Sequence, residues 1–184
     1  AIISLIGIAV LTGLAYARFA RPTAQVLFSK VAVVAPFQDV PTLMFRAANE
    51  RRNQILEAKM RLYLTLDEYS DGRMMRRFYE LELLRDRNPS CLLSWTALHP
   101  GILHSPLYGL SQADLTKKSA ALLVSVSGID QTVAQAIHTR HTYYAADILW
   151  NRQFKDIIHN VDEETDNPDA TVRYIDFADF HEVE

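Results

Sequence analysis

The sequence contains one cysteine, six glycines and seven prolines in 184 residues, and no charged residue before Arg18. The lone thiol, Cys91, excludes a framework of intramolecular disulfides, and its setting in SCLLSW suits a small buried hydrophobe. So little glycine and proline excludes collagen-like and low-complexity chains. G-x-x-x-x-G-K-[ST], G-x-G-x-x-G and C-x-x-C are absent, so neither a phosphate-cradling loop nor a zinc ribbon has support. Nucleophile chemistry fares no better. His104 and Ser105 are adjacent, and adjacent side chains on a strand point apart. No constellation of an enzyme remains.

What is present reads as globular: 49% hydrophobic and 22% charged residues, enough for one ordinary domain with an appended element. The net charge of −3 hides an asymmetry. Residues 162–184 carry nine acids against the single base Arg173, which leaves 13 acids and 18 bases before them. The tail is a solvated acidic end. The basic body suits an anionic lipid surface. Its charges are too interleaved with Glu and Asp to suit nucleic acid.

The chain opens AIISLIGIAVLTGLAYA, then ARFARP. Such a start has three readings: a secretory signal, a transmembrane helix, or an amphipathic arm. Seventeen uncharged residues, Ala1 to Ala17, span roughly 26 Å as a helix, just under the ~30 Å hydrocarbon core. Ala15-Tyr16-Ala17 mimics a signal cleavage site, but a signal carries its positive charge before the apolar core, and here Arg18 and Arg21 follow it. Basic residues past a span place that end on the cytoplasmic side. A buried core helix is the plain alternative. The membrane reading is preferred, with more chain expected upstream of Ala1. On a helix Ile8, Thr12 and Tyr16 share a face, less greasy than its neighbours. Gly7 and Gly13 permit close approach or bending.

After Pro22 the pattern changes to short runs broken by Pro, Gly, Asn or Asp. In AKMRLYLTL, Met60, Leu62, Leu64 and Leu66 point one way, and Lys59, Arg61, Tyr63 and Thr65 the other. RRFYELELL sets Phe78 and Glu80 against Tyr79, Leu81 and Leu83. Seven or eight such strands predict an immunoglobulin-like antiparallel β-sandwich, with Ser70-Asp71-Gly72 at a hairpin tip. Ser111 with Asp114 three residues on predicts a capped short helix running to about Lys118.

Six histidines invite a metal reading, but His138 and His141 in HTRH have no acid at the spacing of a metal helix, and His99 and His104 bracket a turn. Structural histidines, and no metal, are expected. Glu57 stands out in ILEAKM, where a carboxylate needs water or a partner. It could pair with Lys59 or Arg61. In a symmetric oligomer it would repeat as a ring that focuses negative potential on a central path.

Taken together, GLAYARFARPTAQVLFS, TLMFRAANERRNQILEAKMRL, LSWTALHP, HSPLYG, TRHTYYAADILW and FHEV resemble prokaryotic inward-rectifier potassium channels, the KirBac family, over essentially the whole chain. The resemblance implies the end of a pore-lining inner transmembrane helix over residues 1–21, a linker over 22–29 and a cytoplasmic immunoglobulin-like domain over 30–184. It further implies a homotetramer in the bacterial inner membrane, potassium as the permeant ion, no other cofactor, and a place among voltage-gated channels.

Residue by residue, Tyr16 matches the bulky residue at the bundle crossing. Ile8 matches a cavity position that is acidic in strong rectifiers, so block by magnesium or polyamines should be weak. Thr12 lies between them. Arg18 and Arg21 match basic residues that meet phosphoinositide headgroups, while Thr23, Ala24 and Gln25 replace lysines of eukaryotic relatives. Glu57 matches an acid of the cytoplasmic vestibule. Gly128, Ile129, Asp130, Gln131, Thr132, Val133, Ala134, Gln135 and Ala136 match the G-loop constriction. Two features depart from the family pattern. Gly101-Ile102-Leu103-His104 stands where an acidic pair is usual, and the selectivity-filter motif T-x-G-[YF]-G is not in these residues. The other reading is a membrane-anchored immunoglobulin-like binding module without conduction.

Overall fold

The computed structural model describes residues 2–19, 25–51, 53–91, 93–101, 103–161 and 172–184. Helix α1 covers Ile2–Phe19, with Arg18 as the basic residue of its last turn, where a cation suits the helix dipole. Its described side chains are exposed along its whole length. Eighteen residues rise roughly 27 Å, less than the ~30 Å hydrocarbon core. Among the described residues no helix is long and apolar enough to cross a membrane. The expected apolar helix at the start of the chain is present.

The strands follow the alternation seen in the sequence. β1 (Val26–Phe28), β2 (Ala32–Phe37), β3 (Val40–Asn49), β7 (Ser94–Pro100) and β10 (Ile148–Trp150) form one sheet. In it β3 pairs with β1, β2 and β7, and β10 runs parallel to β2. β4 (Ile55–Ser70), β5 (Arg73–Leu81), β6 (Arg87–Cys91), β8 (Ala121–Asp130) and β9 (Gln135–Tyr144) form the second sheet, with β8 between β4 and β9. A hairpin of β11 (Ile158–Val161) and β12 (Val172–Ile175) stands apart. β1 falls inside the stretch read as a linker, because Val26-Leu27-Phe28 finds β3 to pair with.

The mainly β fold with an antiparallel sandwich is as expected. Met60, Leu62 and Leu64 are fully buried and Leu66 nearly so, while Arg61 is exposed. Thr65 departs from the pattern: it is buried, its hydroxyl bonding to the Ala121 carbonyl at 3.2 Å and to Arg76 Nη2 at 3.0 Å. These residues pack with Phe45, Trp95, Leu122 and Tyr143 in one core between the sheets. Each large apolar side chain so buried contributes roughly 1.5–3 kcal/mol.

Turn chemistry closes the hairpins. Asp71 and Gly72 both have positive φ, +52° and +75°, which suits the twist of a two-residue β4–β5 turn. α2 (Gln112–Lys117) starts on the expected capping box, with Ser111 Oγ accepting from Asp114 N and Asp114 Oδ2 accepting from Ser111 N. Cys91 is buried, as its setting suggested.

Candidate ion-path face

The proposed site residues of the β-domain meet at one end of β4. Leu56 pairs with Ile129 and Lys59 with Ser127, so Glu57 and Ala58 together oppose Gly128. This is a β-bulge, and Glu57 takes the extra residue's strain with φ of +49°. The bulge bends β4 against β8. A Cβ on Gly128 would lie 2.5 Å from Ile55 Cγ2 and 3.0 Å from the Leu56 carbonyl oxygen. Glycine is therefore needed here for close approach, with an ordinary φ.

The bulge also answers the question of the lone carboxylate. Glu57 is exposed and forms a salt bridge with neither Lys59 nor Arg61 among the described residues, which corrects that expectation. It lines a cleft with Lys59, Arg87, Asn88 and Pro89. Arg61 instead bonds to Tyr63 and lies near Glu80 and Asp86, which holds its guanidinium above the usual range.

Beyond Gly128, β8 ends at Asp130, residues 131–134 turn, and β9 returns from Gln135. Ile129 is 41% exposed, while Asp130 beside it is wholly buried. Asp130 Oδ1 accepts from Thr132 N at 2.8 Å and from Asn53 Nδ2 at 3.1 Å. Ala134 closes the turn with φ of +52°. Gln131, Thr132, Ala134, Gln135 and Ala136 are exposed, with Val133 half-buried. One buried carboxylate thus anchors an exposed loop next to Glu57.

On α1, Ile8 and Tyr16 are exposed at 64% and 75% and flank Thr12 on one face. Thr12 Oγ1 donates to the Ile8 carbonyl at 2.8 Å, so its hydroxyl proton is turned back onto the helix. Arg18 is exposed at the end of this helix. Arg21 lies outside the described residues, as do residues 162–171 of the acidic tail.

His141 and His99 pack into the fold, while His104 and His138 are exposed. His141 stacks on Phe28 with ring centroids 5.2 Å apart, and burial pushes its pKa down. The sequence reading missed the partner of Ser105. It is His99, not His104: His99 Nε2 lies 2.7 Å from Ser105 Oγ. The other ring nitrogen, Nδ1, lies 2.6 Å from the Glu82 carbonyl. A carbonyl only accepts, so Nδ1 carries the proton and Nε2 accepts from the Ser105 hydroxyl. Ser105 Oγ also accepts from Leu107 N. Both side chains are buried, so the pair ties β7 to the following turn. Elsewhere His159, Asp176 and Asp179 bring potential metal-ligand atoms within 4.8 Å of one another. The Lys155 ammonium lies 2.6 Å from Asp179 Oδ2, which already balances that carboxylate.

With this geometry in place, comparison with known families is decisive. The family described as inward rectifier potassium channel C-terminal domain matches residues 26–184. The chain belongs to that family. The KirBac resemblance of the motifs is borne out: the chain is 42% identical over all 184 residues to the inward rectifier potassium channel Kirbac3.1 of Paramagnetospirillum magnetotacticum. It covers 60% of that relative's length. It is 29% identical over 157 residues to the human inward rectifier potassium channel 4, covering 35% of it with 79% of this chain. Over 179 residues it is 26% identical to the ATP-sensitive inward rectifier potassium channel 12 of Gallus gallus, with 93% of this chain and 40% of the relative covered.

The family consists of channels, not enzymes. The expectation of voltage gating is corrected: the term does not fit inward rectifiers. A voltage-sensing helix carries a series of arginines across the membrane, and α1 carries only Arg18, in its last turn.

Proposed function

We propose that this chain supplies the end of an inner helix and the cytoplasmic domain of an inwardly rectifying potassium channel subunit in the bacterial inner membrane. The helix end over α1 leads to a cytoplasmic domain that begins with β1 at Val26 and runs to Glu184. Four copies surround one path, and potassium is the permeant ion. Ile8, Thr12 and Tyr16 face that path on α1, with Tyr16 as the side chain that closes it. Below, four Glu57 carboxylates form a ring beside four loops of Gly128–Ala136. The observation that carries this reading is the β-bulge, which brings an exposed carboxylate from β4 against the start of the β8–β9 loop.

A ring of four carboxylates concentrates cations before they enter a narrow path. With Ile8 apolar, magnesium or polyamines meet their attraction at the Glu57 ring and little above it. Arg18 and Arg21, which follow the apolar run in the sequence, contact phosphoinositide headgroups. Lipid there biases the helices between closed and open arrangements.

The test is potassium flux through liposomes holding the intact subunit that carries this chain. Glu57→Gln should lower flux at low ionic strength and reduce sensitivity to magnesium and spermine. Neutralising Arg18 and Arg21 together should remove the response to phosphoinositide. Unchanged block in the first variant would remove Glu57 from the path, and an unchanged lipid response would remove the arginines from the lipid site. A monomer in detergent would overturn the shared path itself.

A further inference from the structure

The β11–β12 hairpin brings two metal-ligating residue types onto one face. Ile158 pairs with Ile175 and His159 with Tyr174. Asp176 N donates to the Ile157 carbonyl at 2.9 Å, so the ladder continues one step past β12. His159 and Asp176 are therefore diagonal neighbours on the same face, within reach of each other's side chains. A third residue joins them from the turn that follows. Asp176 Oδ1 accepts from Ala178 N at 2.8 Å, which starts that turn. Phe180, wholly buried in one cluster with Ala48 and Ile157, pins its far side. Asp179 stands between these two anchors. One ligand atom each from His159, Asp176 and Asp179 then lies within 4.8 Å of the other two.

A second observation is that the fold already seats a cation here. Lys155 Nζ lies 2.6 Å from Asp179 Oδ2. Asp179, and at longer range Glu184 and Asp176, hold the Lys155 ammonium above its ordinary pKa. The three ligand residues are half-buried, so ions reach them from solution. Their donor set narrows the ion. Imidazole suits zinc and its transition-metal neighbours, whereas magnesium and calcium favour oxygen alone. Zinc bonds of about 2.0–2.2 Å set tetrahedral ligands roughly 3.4 Å apart. Closing on the ion therefore asks at most about 1.4 Å of side-chain movement from the three residues.

We propose that His159, Asp176 and Asp179 form a binding site for one divalent transition-metal ion such as zinc. One ring nitrogen and two carboxylates supply three ligands, and water completes the coordination. The ion displaces the Lys155 ammonium from Asp179, so metal and lysine compete for one carboxylate. The ligands come from β11, from the end of β12 and from the turn before Phe180. Bound metal locks these three segments together and stabilises this part of the fold.

The 184-residue chain, held in an amphipathic polymer with its six histidines labelled with nitrogen-15, is titrated with zinc sulfate. The His159 ring signal, assigned by its loss in His159→Gln, should shift saturably at one ion per chain. It should do so ahead of the exposed His104 and His138. Magnesium at the same concentration should leave it in place. Asp179→Asn should weaken zinc by at least about tenfold, the loss that removing even a supporting group behind a ligand brings. Lys155→Met should instead tighten zinc by about two- to fivefold, the worth of an exposed ion pair. Those opposite signs separate a metal site from a plain salt bridge, to which zinc would be indifferent. His159→Gln, read by equilibrium dialysis, should show the same loss as Asp179→Asn and keeps the test open if the latter unfolds the turn. A linear response, or movement of His104 or His138 before His159, would overturn the site. So would parental zinc affinity in both ligand variants. Weaker zinc binding in Lys155→Met would overturn the competition.

Discussion

Glu57 and Gly128 are 71 positions apart in the chain, yet they meet across β4 and β8, where two residues of one strand oppose one of the other. The bulge and the glycine need each other. Without the bulge Glu57 would hold its place in the pleat, and without the glycine β4 could not bend so close. Gly128→Ala should therefore destabilise the domain by about 1–3 kcal/mol, the range for overpacking a tight site. Chemical denaturation measures it. A loss below about 0.5 kcal/mol, typical of an innocuous surface change, would mean the strands separate easily here.

Asp130 should control the order of the neighbouring loop. Its Oδ1 accepts from Thr132 N and Asn53 Nδ2. Asp130→Ala leaves both donors without that acceptor and should cost about 2 kcal/mol or more. Hydrogen exchange of the Thr132 amide should rise by a larger factor than exchange in the centre of β8. Equal increases at both places would indicate global destabilisation rather than a local anchor.

His99 gives the fold a pH dependence with a defined sign. Burial lowers its pKa below the ordinary 6.5. In the unfolded chain it takes a proton near that ordinary value, so the unfolded state binds more protons below it. Stability from the neutral, buried ring is complete above pH ~6.5 and falls as the solution is acidified towards the lower folded pKa. The pH dependence of unfolding between about pH 7 and 5 should flatten in His99→Gln relative to the parent. His141 and His181, also lowered by burial, account for the slope that remains. An identical slope in the variant would refute the assignment.

Cys91 should be nearly silent to thiol reagents in the folded chain. It is buried, and burial pushes its pKa up, so little of the nucleophilic thiolate forms at neutral pH. Reaction with a disulfide reagent should speed up by at least tenfold on unfolding. A fast native reaction would show that the edge at β6 opens.

Much of this protein was legible along the chain because it rests on local rules. Alternation from Met60 to Leu66 marks a strand with one buried face, and Asp71-Gly72 supplies the positive φ of a tight turn. Ser111 and Asp114 write their own helix cap. The motifs carried the family as well, since they lie along the chain in readable order. The partner of Ser105 was not legible. His104 adjoins it in sequence, but the turn after β7 folds the serine back onto His99.

The amino-acid order by itself determined the strands, the turns, the capped helix, the apolar start and the family, because each follows from side-chain period, backbone preference or linear spacing. Tertiary structure alone decided that Glu57 stands exposed beside Gly128 and that Asp130 anchors the loop. Those are relations between strands distant in sequence, and they exist only where packing and register bring two backbones within contact.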